Sequence, residues 1–380
     1  MKYVILRCED TARGGERLAS LLEGAKAAHL AHLAQAGAAG TIRASGDPAA
    51  LDRARLHRAL VGLRAQDGAA CPGRWYVASA NLTLAPGETA WCCELVTQRD
   101  GRILDPTAGN IPTKESTLLV HALDEQLGSD ARRWEIGHGW HHLCITREPA
   151  LAAAGEPTPL PPELLIGQPW ERHLPRGGQG EALRALVGQA SKLLEAHPVN
   201  RVRVDLGENP ANLLWLWGAS DAAPVRTFTE QTGRSGAVIS RSFLTRGLAR
   251  ALSLDWSEAP ASMEEPAFHR LLKAVVAALE RHDLVYVHLG VETANAVERL
   301  CALERIDQLL LQPLTDRLRQ AGPGRLLAVV DHREPSWLPF VAIGPGLAQQ
   351  PIAHLNTDEF AASPLTFKDA SGLFSWFTKD

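Results

Sequence analysis

The chain has 380 residues and a formal net charge of −4, with 45% hydrophobic and 22% charged residues. This balance is typical of a globular protein with a sizeable buried core. No basic block stands out, so the charge pattern gives no reason to expect nucleic-acid binding. No apolar run reaches membrane-spanning length, which argues against a transmembrane protein. The six cysteines show no CxxC spacing and no signal-like segment opens the chain, so we expect reduced thiols and a cytoplasmic location.

The first part of the chain predicts one strand followed by two helices. Residues 2–8 are β-branched and apolar, which predicts a buried strand that ends at Glu9 and Asp10. Residues 18–36 and 49–63 have helical patterns, and the second of them carries a basic outer face.

From about residue 90 the pattern changes to short alternating runs mixed with helical segments. The candidate strands are 91–97, 102–104, 142–145 and 201–206, and the candidate helices are 114–127 and 181–196. A mixture of this kind predicts a smaller α+β unit with an antiparallel sheet. Its proline-rich linker spans residues 149–162.

After Gly207 the strand–helix alternation returns. Predicted strands are 213–217, 236–240, 283–289, 325–330 and 338–343, and predicted helices are 241–252, 268–279 and 297–318. The chain therefore predicts an α/β fold with a doubly wound, mostly parallel sheet and an inserted smaller α+β domain. We place the core domain at 1–87 and 209–380 and the inserted domain at 88–208.

Polar side chains gather where the predicted parallel strands end, which is where open α/β sheets bind ligands. These residues are Glu9, Asp10, His288, Glu292, Asp331 and His332. Carboxylates and imidazoles that converge in this way predict a divalent-metal site. For Asp331 and His332 the alternative is a strand-end acid beside a helix-capping residue.

The run 138–142, His-Gly-Trp-His-His, is the other histidine cluster. On a strand, His138 and His142 would share one face and His141 would face the opposite way. Because no carboxylate accompanies them in the sequence, we predict a structural or substrate-contact role rather than a metal site.

Six of the ten tryptophans lie outside the predicted core strands, at positions 75, 91, 134, 140, 170 and 256. Exposed tryptophans favour a protein partner. The alternative is that they fill a cleft between the domains.

Several motifs together carry a family resemblance. They are ELVTQRDGRILDPTAGNI at 94–111, HPVN at 197–200, PANLLWLWG at 210–218, GAVIS at 236–240, HDLVYVH at 282–288 and the pair Asp331-His332. On these motifs the chain resembles the cofactor-independent phosphoglycerate mutases of the archaeal-type branch, in the alkaline phosphatase superfamily. The resemblance implies an alkaline-phosphatase-like core with an inserted domain, two divalent metals, usually manganese, and a serine that carries the phosphoryl group.

The resemblance also implies where the metals and the serine should be, and the chain departs from it there. The family's first ligand falls on Glu9 or on Asp10. The helix that should carry the serine has basic residues instead, and two further ligand positions fall on Thr293 and Val297. The residual metal candidates are Glu9, Asp10, Asp331 and His332.

The family's substrate positions are altered as well. The resemblance leaves as ligand-binding candidates Asp105, His141, His142, Asn212 and Glu265. Glu208 and His141 stand where the family keeps a lysine and an arginine. Glu208 and His141 thus replace two cations that would bind a phosphorylated acid.

Selective loss of these positions predicts a divergent phosphoglycerate mutase-like protein without mutase activity, a pseudoenzyme that acts as a binding or regulatory protein. We expect no metal or one divalent metal, manganese or zinc, and a small phosphorylated or acidic ligand or a protein partner. The alternative is a phosphotransferase, a phosphohydrolase or a mutase of altered chemistry, with a single metal at Glu9, Asp331 and His332.

Overall fold

The computed structural model describes residues 1–10, 24–43, 52–63, 72–152, 159–223, 225–291, 295–330 and 337–379. The chain forms two compact units, which we call the core unit, Met1–Ala70 with Arg226–Asp380, and the second unit, Cys71–Val225.

The described strands are, in chain order, β1 Lys2–Asp10, β2 Ala38–Arg43, β3 Thr89–Arg99, β4 Arg102–Asp105, β5 Arg132–His138, β6 His141–Thr146, β7 Leu213–Ser220, β8 Gly236–Ile239, β9 Asp255–Ser257, β10 Leu284–Val291, β11 Gly324–Val330, β12 Trp337–Ile343 and β13 Thr366–Phe367.

The described α-helices are α1 Ala28–Ala36, α2 Arg53–Leu60, α3 Pro72–Ser79, α4 Thr113–Leu127, α5 Gly178–Ala196, α6 Pro198–Asp205, α7 Phe228–Thr232, α8 Phe243–Ala251, α9 Glu265–Arg281, α10 Ala296–Ile306, α11 Gln312–Gln320, α12 Thr357–Ala362 and α13 Ala370–Phe377. A π-helical turn, Asp307–Leu311, joins α10 to α11, and short 3-10 helices occupy Pro149–Leu151, Pro162–Leu164 and Trp170–His173. None of the helices in the described ranges is long and apolar enough to cross a membrane.

The core unit contains an eight-stranded sheet in the order β13-β2-β12-β11-β1-β10-β8-β9. From β11 to β9 all neighbours are parallel, whereas β12 runs antiparallel to both of its neighbours. The central strand β1 is buried on both faces, since Val4, Ile5 and Leu6 are at most 1% exposed. A parallel strand covered on both sides requires this continuous apolar run, so the predicted mostly parallel α/β fold is confirmed.

The second unit is built on an antiparallel sheet in which β3 pairs with β4, β6 and β7. The predicted return of residues 213–217 to the parallel sheet is wrong, because β7 pairs with β3 over its fully buried length. The second unit therefore extends beyond the predicted boundaries at 88 and 208 and includes α3 and β7.

Two local predictions in the second unit are also wrong. Residues 201–206 lie mostly in α6 instead of a strand, because His197 caps the helix and accepts a hydrogen bond from the Val199 backbone N–H. The run 138–142 is a hairpin rather than one strand. β5 ends and β6 begins within it, around Gly139 with φ +59°, a conformation that glycine adopts without a steric penalty.

Candidate functional site

Glu9 lies at the carboxyl end of β1 and is only 1% exposed. Across the parallel β1–β10 pair it is in register with Gly290, and Arg7 is in register with His288. The Asp10 side chain and residues Glu292, Thr293, Asp331 and His332 lie outside the described part of the chain. Of the predicted Glu9, Asp331 and His332 corner, the structure therefore places Glu9 alone.

Two buried histidines converge on the Glu9 carboxylate. His288 Nε2 lies 2.7 Å from Glu9 Oε2, and His57 Nε2 lies 3.6 Å from the same oxygen. The two imidazole rings are 4.6 Å apart and nearly perpendicular. His288 comes from β10 and His57 from α2, so a strand and a helix far apart in sequence build one cluster. We call Glu9, His57 and His288 the Glu9 centre.

The other ring nitrogen of each histidine contacts a hydroxyl group. Ser240, directly after β8, has its Oγ 2.9 Å from His288 Nδ1, and it accepts a hydrogen bond of 2.7 Å from the Thr245 hydroxyl. The Tyr286 hydroxyl lies 2.6 Å from His57 Nδ1. These contacts fix the ring orientations, and both Nε2 atoms consequently face Glu9.

Two arginines balance the charge of Glu9. Arg53 Nε is 2.6 Å from Oε1, and Arg7 Nη2 is 3.8 Å from Oε2. Burial would raise the pKa of Glu9, but the Arg53 and Arg7 guanidiniums, the hydrogen bond from His288 and the nearby His57 imidazole hold it well below its usual range. Burial, helped by Arg7 and His288, depresses the pKa of His57 well below its usual value, so this imidazole is neutral near pH 7.

The Glu9 centre has the donor atoms for one divalent ion. Its carboxylate oxygen and two imidazole nitrogens all lie within 4.8 Å of one another. The buried His57 Nε2 has no hydrogen-bond partner among the described residues. Two imidazoles and one carboxylate are a known zinc donor set, and such imidazoles are usually oriented through their second nitrogen.

This donor set shares Glu9 and His288 with the polar groups predicted at the strand ends, whereas it shares only Glu9 with the residual candidates that the resemblance leaves. His57 belongs to the helix predicted at 49–63, and His288 lies near the end of the strand predicted at 283–289. The sequence did not bring the two histidines together. The available signal was the alternation along β1 and β10, because residues in register on neighbouring parallel strands face the same side of a sheet.

In the second unit, His141 belongs to a polar cluster with Tyr76 and Glu94. The Tyr76 hydroxyl is 2.5 Å from Glu94 Oε1 and 2.6 Å from His141 Nδ1. His141 Nδ1 is also 3.1 Å from Glu94. The carboxylate that the run itself lacks is supplied by a neighbouring strand, because β3 pairs Glu94 directly with His141. Burial and the Glu94 carboxylate raise the pKa of Tyr76 well above its usual value.

His142 is fully buried, and its Nδ1 accepts a hydrogen bond from the Gly137 backbone N–H. Burial lowers the pKa of His142 to about 3, so the ring is neutral near pH 7. This contact gives His142 a structural role in the β5–β6 hairpin.

Two other ligand-binding candidates hold backbone in place. Asp105 accepts hydrogen bonds from the Thr107 and Gly109 backbone N–H groups, and Asn212 pairs with both backbone polar groups of Gln98. Their contact with a ligand stays a prediction.

The remaining candidate, Glu265, lies in the first turn of α9 with its side chain 67% exposed, 3.8 Å from His269. Glu208, which stands at the family's lysine position, is 3.0 Å from Arg203 and lines a polar cleft of about 370 Å³ in the second unit. A ligand role for either residue stays a prediction.

Comparison with known proteins gives a consistent result. Residues 34–200 match the family model described as 2,3-bisphosphoglycerate-independent phosphoglycerate mutase. A protein of that name from Methanosarcina acetivorans is 32% identical over 68% of this chain, and the match covers 66% of the relative, just under two thirds. A Geobacter sulfurreducens protein named "probable 2,3-bisphosphoglycerate-independent phosphoglycerate mutase" is 30% identical over 88% of this chain and 86% of its own length.

Solved structures share the fold. The cofactor-independent phosphoglycerate mutase of Thermoplasma acidophilum aligns with a TM-score of 0.56 at 22% identity, over 98% of this chain and 99% of its own. A Pyrococcus horikoshii protein aligns with a TM-score of 0.63 at 18% identity, over 99% of this chain and 96% of its own.

Proposed function

Because the chain belongs to the 2,3-bisphosphoglycerate-independent phosphoglycerate mutase family, we propose that it keeps the fold of that family without mutase turnover and acts as a binding or regulatory protein. The proposal rests on the chemistry of its site, since a shared fold alone does not fix an activity.

The observation that carries the proposal is the ion pair of 2.6 Å between Arg53 and Glu9. The resemblance assigns Glu9 or Asp10 to a metal and the helix of Arg53 to the nucleophile. In this chain that helix instead delivers a guanidinium and the His57 imidazole to the carboxylate. In-line phosphoryl transfer through a serine requires the nucleophile and two ions that clamp the attacking and leaving oxygens. Two guanidiniums beside Glu9 oppose the binding of two divalent cations.

The ligand class and the location are parts of the same proposal. The substrate of a mutase would meet Glu208 and His141 where the family has a lysine and an arginine, which supports weak binding of 3-phosphoglycerate. We propose a different small acidic or phosphorylated ligand, or a protein partner, and a cytoplasmic location.

A second candidate is a phosphohydrolase or phosphotransferase with one metal. The convergence of His57 and His288 on Glu9 favours it. A bound divalent ion would supply Lewis-acid chemistry, and the two imidazoles and the carboxylate would hold it in place.

The test compares the purified chain with the Methanosarcina acetivorans relative as a positive control. Conversion of 3-phosphoglycerate to 2-phosphoglycerate is followed by phosphorus NMR with added manganese, cobalt or zinc. We expect no conversion above the protein-free blank, and turnover dependent on two metals per chain would contradict the proposal. Hydrolysis of p-nitrophenyl phosphate, lost in His57→Ala, would favour the second candidate.

A further inference from the structure

We propose that Glu9, His57 and His288 form a site for a single divalent metal ion of the zinc type, oriented by Ser240, Tyr286 and Arg53. Of these residues the family resemblance assigns only Glu9 to a metal, so neither histidine is a ligand that the resemblance implies. Metal binding and mutase turnover are measured separately, so a failure of the metal site can be distinguished from a failure of the proposed function.

The separations between the donor atoms fit one ion. Two ligands at ~2.1 Å from a tetrahedral zinc ion lie about 3.4 Å apart. In the Glu9 centre, Oε2 lies 2.7 Å from one imidazole nitrogen and 3.6 Å from the other. These separations bracket the required value, so shifts of less than about 1 Å would bring the three donors to coordinating distance.

The surroundings of the two imidazoles are those of metal ligands. A ligating histidine normally has its second ring nitrogen fixed by a hydrogen bond, which sets the tautomer and the ring orientation. Ser240 provides this contact to His288 and Tyr286 provides it to His57, at 2.9 and 2.6 Å. The buried His57 Nε2 points at the carboxylate without a hydrogen bond to any described residue. An imidazole nitrogen buried in this way costs free energy unless it finds a partner, and an ion between the donors would provide one.

Arg53 has two effects on this site. Its contact with Oε1 turns the other carboxylate oxygen, Oε2, toward both imidazoles. Its positive charge also opposes a second cation nearby, so the site takes one ion and binds it less tightly than a carboxylate without that neighbour. Two nitrogens and one oxygen select zinc or cobalt over magnesium or calcium, which require oxygen ligands.

The experiment is equilibrium dialysis of the full chain against zinc or cobalt, followed by elemental analysis. The visible absorption of bound cobalt reports the geometry of the site. We expect about one ion per chain and a tetrahedral cobalt spectrum. His57→Ala and His288→Ala should each lower the affinity at least tenfold, whereas His121→Ala, at an exposed position of α4, should leave it unchanged.

Two further variants separate ligation from a purely structural role. Arg53→Gln should raise the affinity several-fold, because it removes an opposing charge and keeps a side-chain hydrogen-bond donor for Oε1. Tyr286→Phe should lower it by about ten- to a hundredfold, the usual effect of losing an outer hydrogen bond. Circular dichroism checks that each variant folds. The proposal is overturned if the wild type binds no ion, if His121→Ala loses as much affinity as His57→Ala, or if folded Arg53→Gln binds more weakly than the wild type.

Discussion

Glu9→Gln is the most informative single substitution in the core unit. It keeps the size of the side chain and a hydrogen-bond acceptor for His288, but it leaves the Arg53 and Arg7 guanidiniums without the carboxylate that compensates them. Removing one member of a buried ion pair costs about 3–5 kcal/mol. Because Arg53 is 16% exposed and partly solvated, we expect the low end of this range, about 3 kcal/mol.

Hydrogen exchange of the peptide covering β1 measures this loss locally, so it does not require the two units to unfold together. A loss of ~3 kcal/mol corresponds to about a hundredfold faster exchange of the protected amides. Glu265→Gln is the matched control, because its side chain is 67% exposed and pairs only weakly with His269. It should change stability by less than ~0.5 kcal/mol. Exchange in Glu9→Gln within threefold of the control would show that the Glu9 carboxylate does not compensate the two guanidiniums.

The same variant has a pH signature. The folded-state pKa of Glu9 is depressed, so its contribution is present above the unfolded pKa of 4.5 and is lost as pH falls below that value. In urea unfolding, Glu9→Gln should lose less stability between about pH 7 and about pH 3 than the wild type does. An identical pH dependence in the two proteins would show that Glu9 is not ionised and paired.

Three further predictions concern local features. His142→Gln should reduce the loss of stability that the second unit shows as pH falls. The pKa of His142 is about 3 in the folded protein and 6.5 when unfolded, so the wild type loses stability between pH 6.5 and 3, by ~1.4 kcal/mol per pH unit. Urea unfolding over that pH range measures the slope, and an unchanged slope in the variant would contradict the prediction. Gly62→Ala should destabilise the core unit by ~3 kcal/mol or more, because φ is +83° and the new Cβ would overlap the Phe374 ring. Gly233→Ala, with φ +69° and no described atom within 4 Å of the new Cβ, should cost only ~1–2 kcal/mol. Thermal melts compare the two glycine variants, and equal shifts would refute the contact argument. Tyr76→Phe should cost ~1–2 kcal/mol in chemical unfolding, since it removes a buried hydroxyl bonded to two partners, and a neutral result would contradict that role.

Most of the core fold was predictable because its strands are covered on both faces. The runs that became β1, β10 and β11 are continuous and apolar, and in a chain with alternating helices such runs indicate a parallel sheet. β7 is just as apolar, yet it pairs in the antiparallel sheet. Burial pattern alone does not identify a strand's partner, and that ambiguity explains why the predicted domain boundary at 208 differs from the structure.

The candidate site was predictable only in part. Glu9 followed from its position at a strand end, whereas His57 required knowledge of how α2 packs over the sheet. A helix gives no sequence signal for which side chain meets a strand more than two hundred residues away. The pairing of Glu94 with His141 could not be predicted either, because it depends on the register between β3 and β6.

We propose that a single centre of Glu9, His57 and His288, with Arg53 at its carboxylate, takes the place of the two-metal phosphoserine chemistry that the family resemblance implies. The most direct measurement combines metal content and 3-phosphoglycerate turnover on one preparation saturated with manganese and zinc in turn. We expect no more than one ion per chain and no formation of 2-phosphoglycerate. Two ions per chain together with conversion of 3-phosphoglycerate would contradict it.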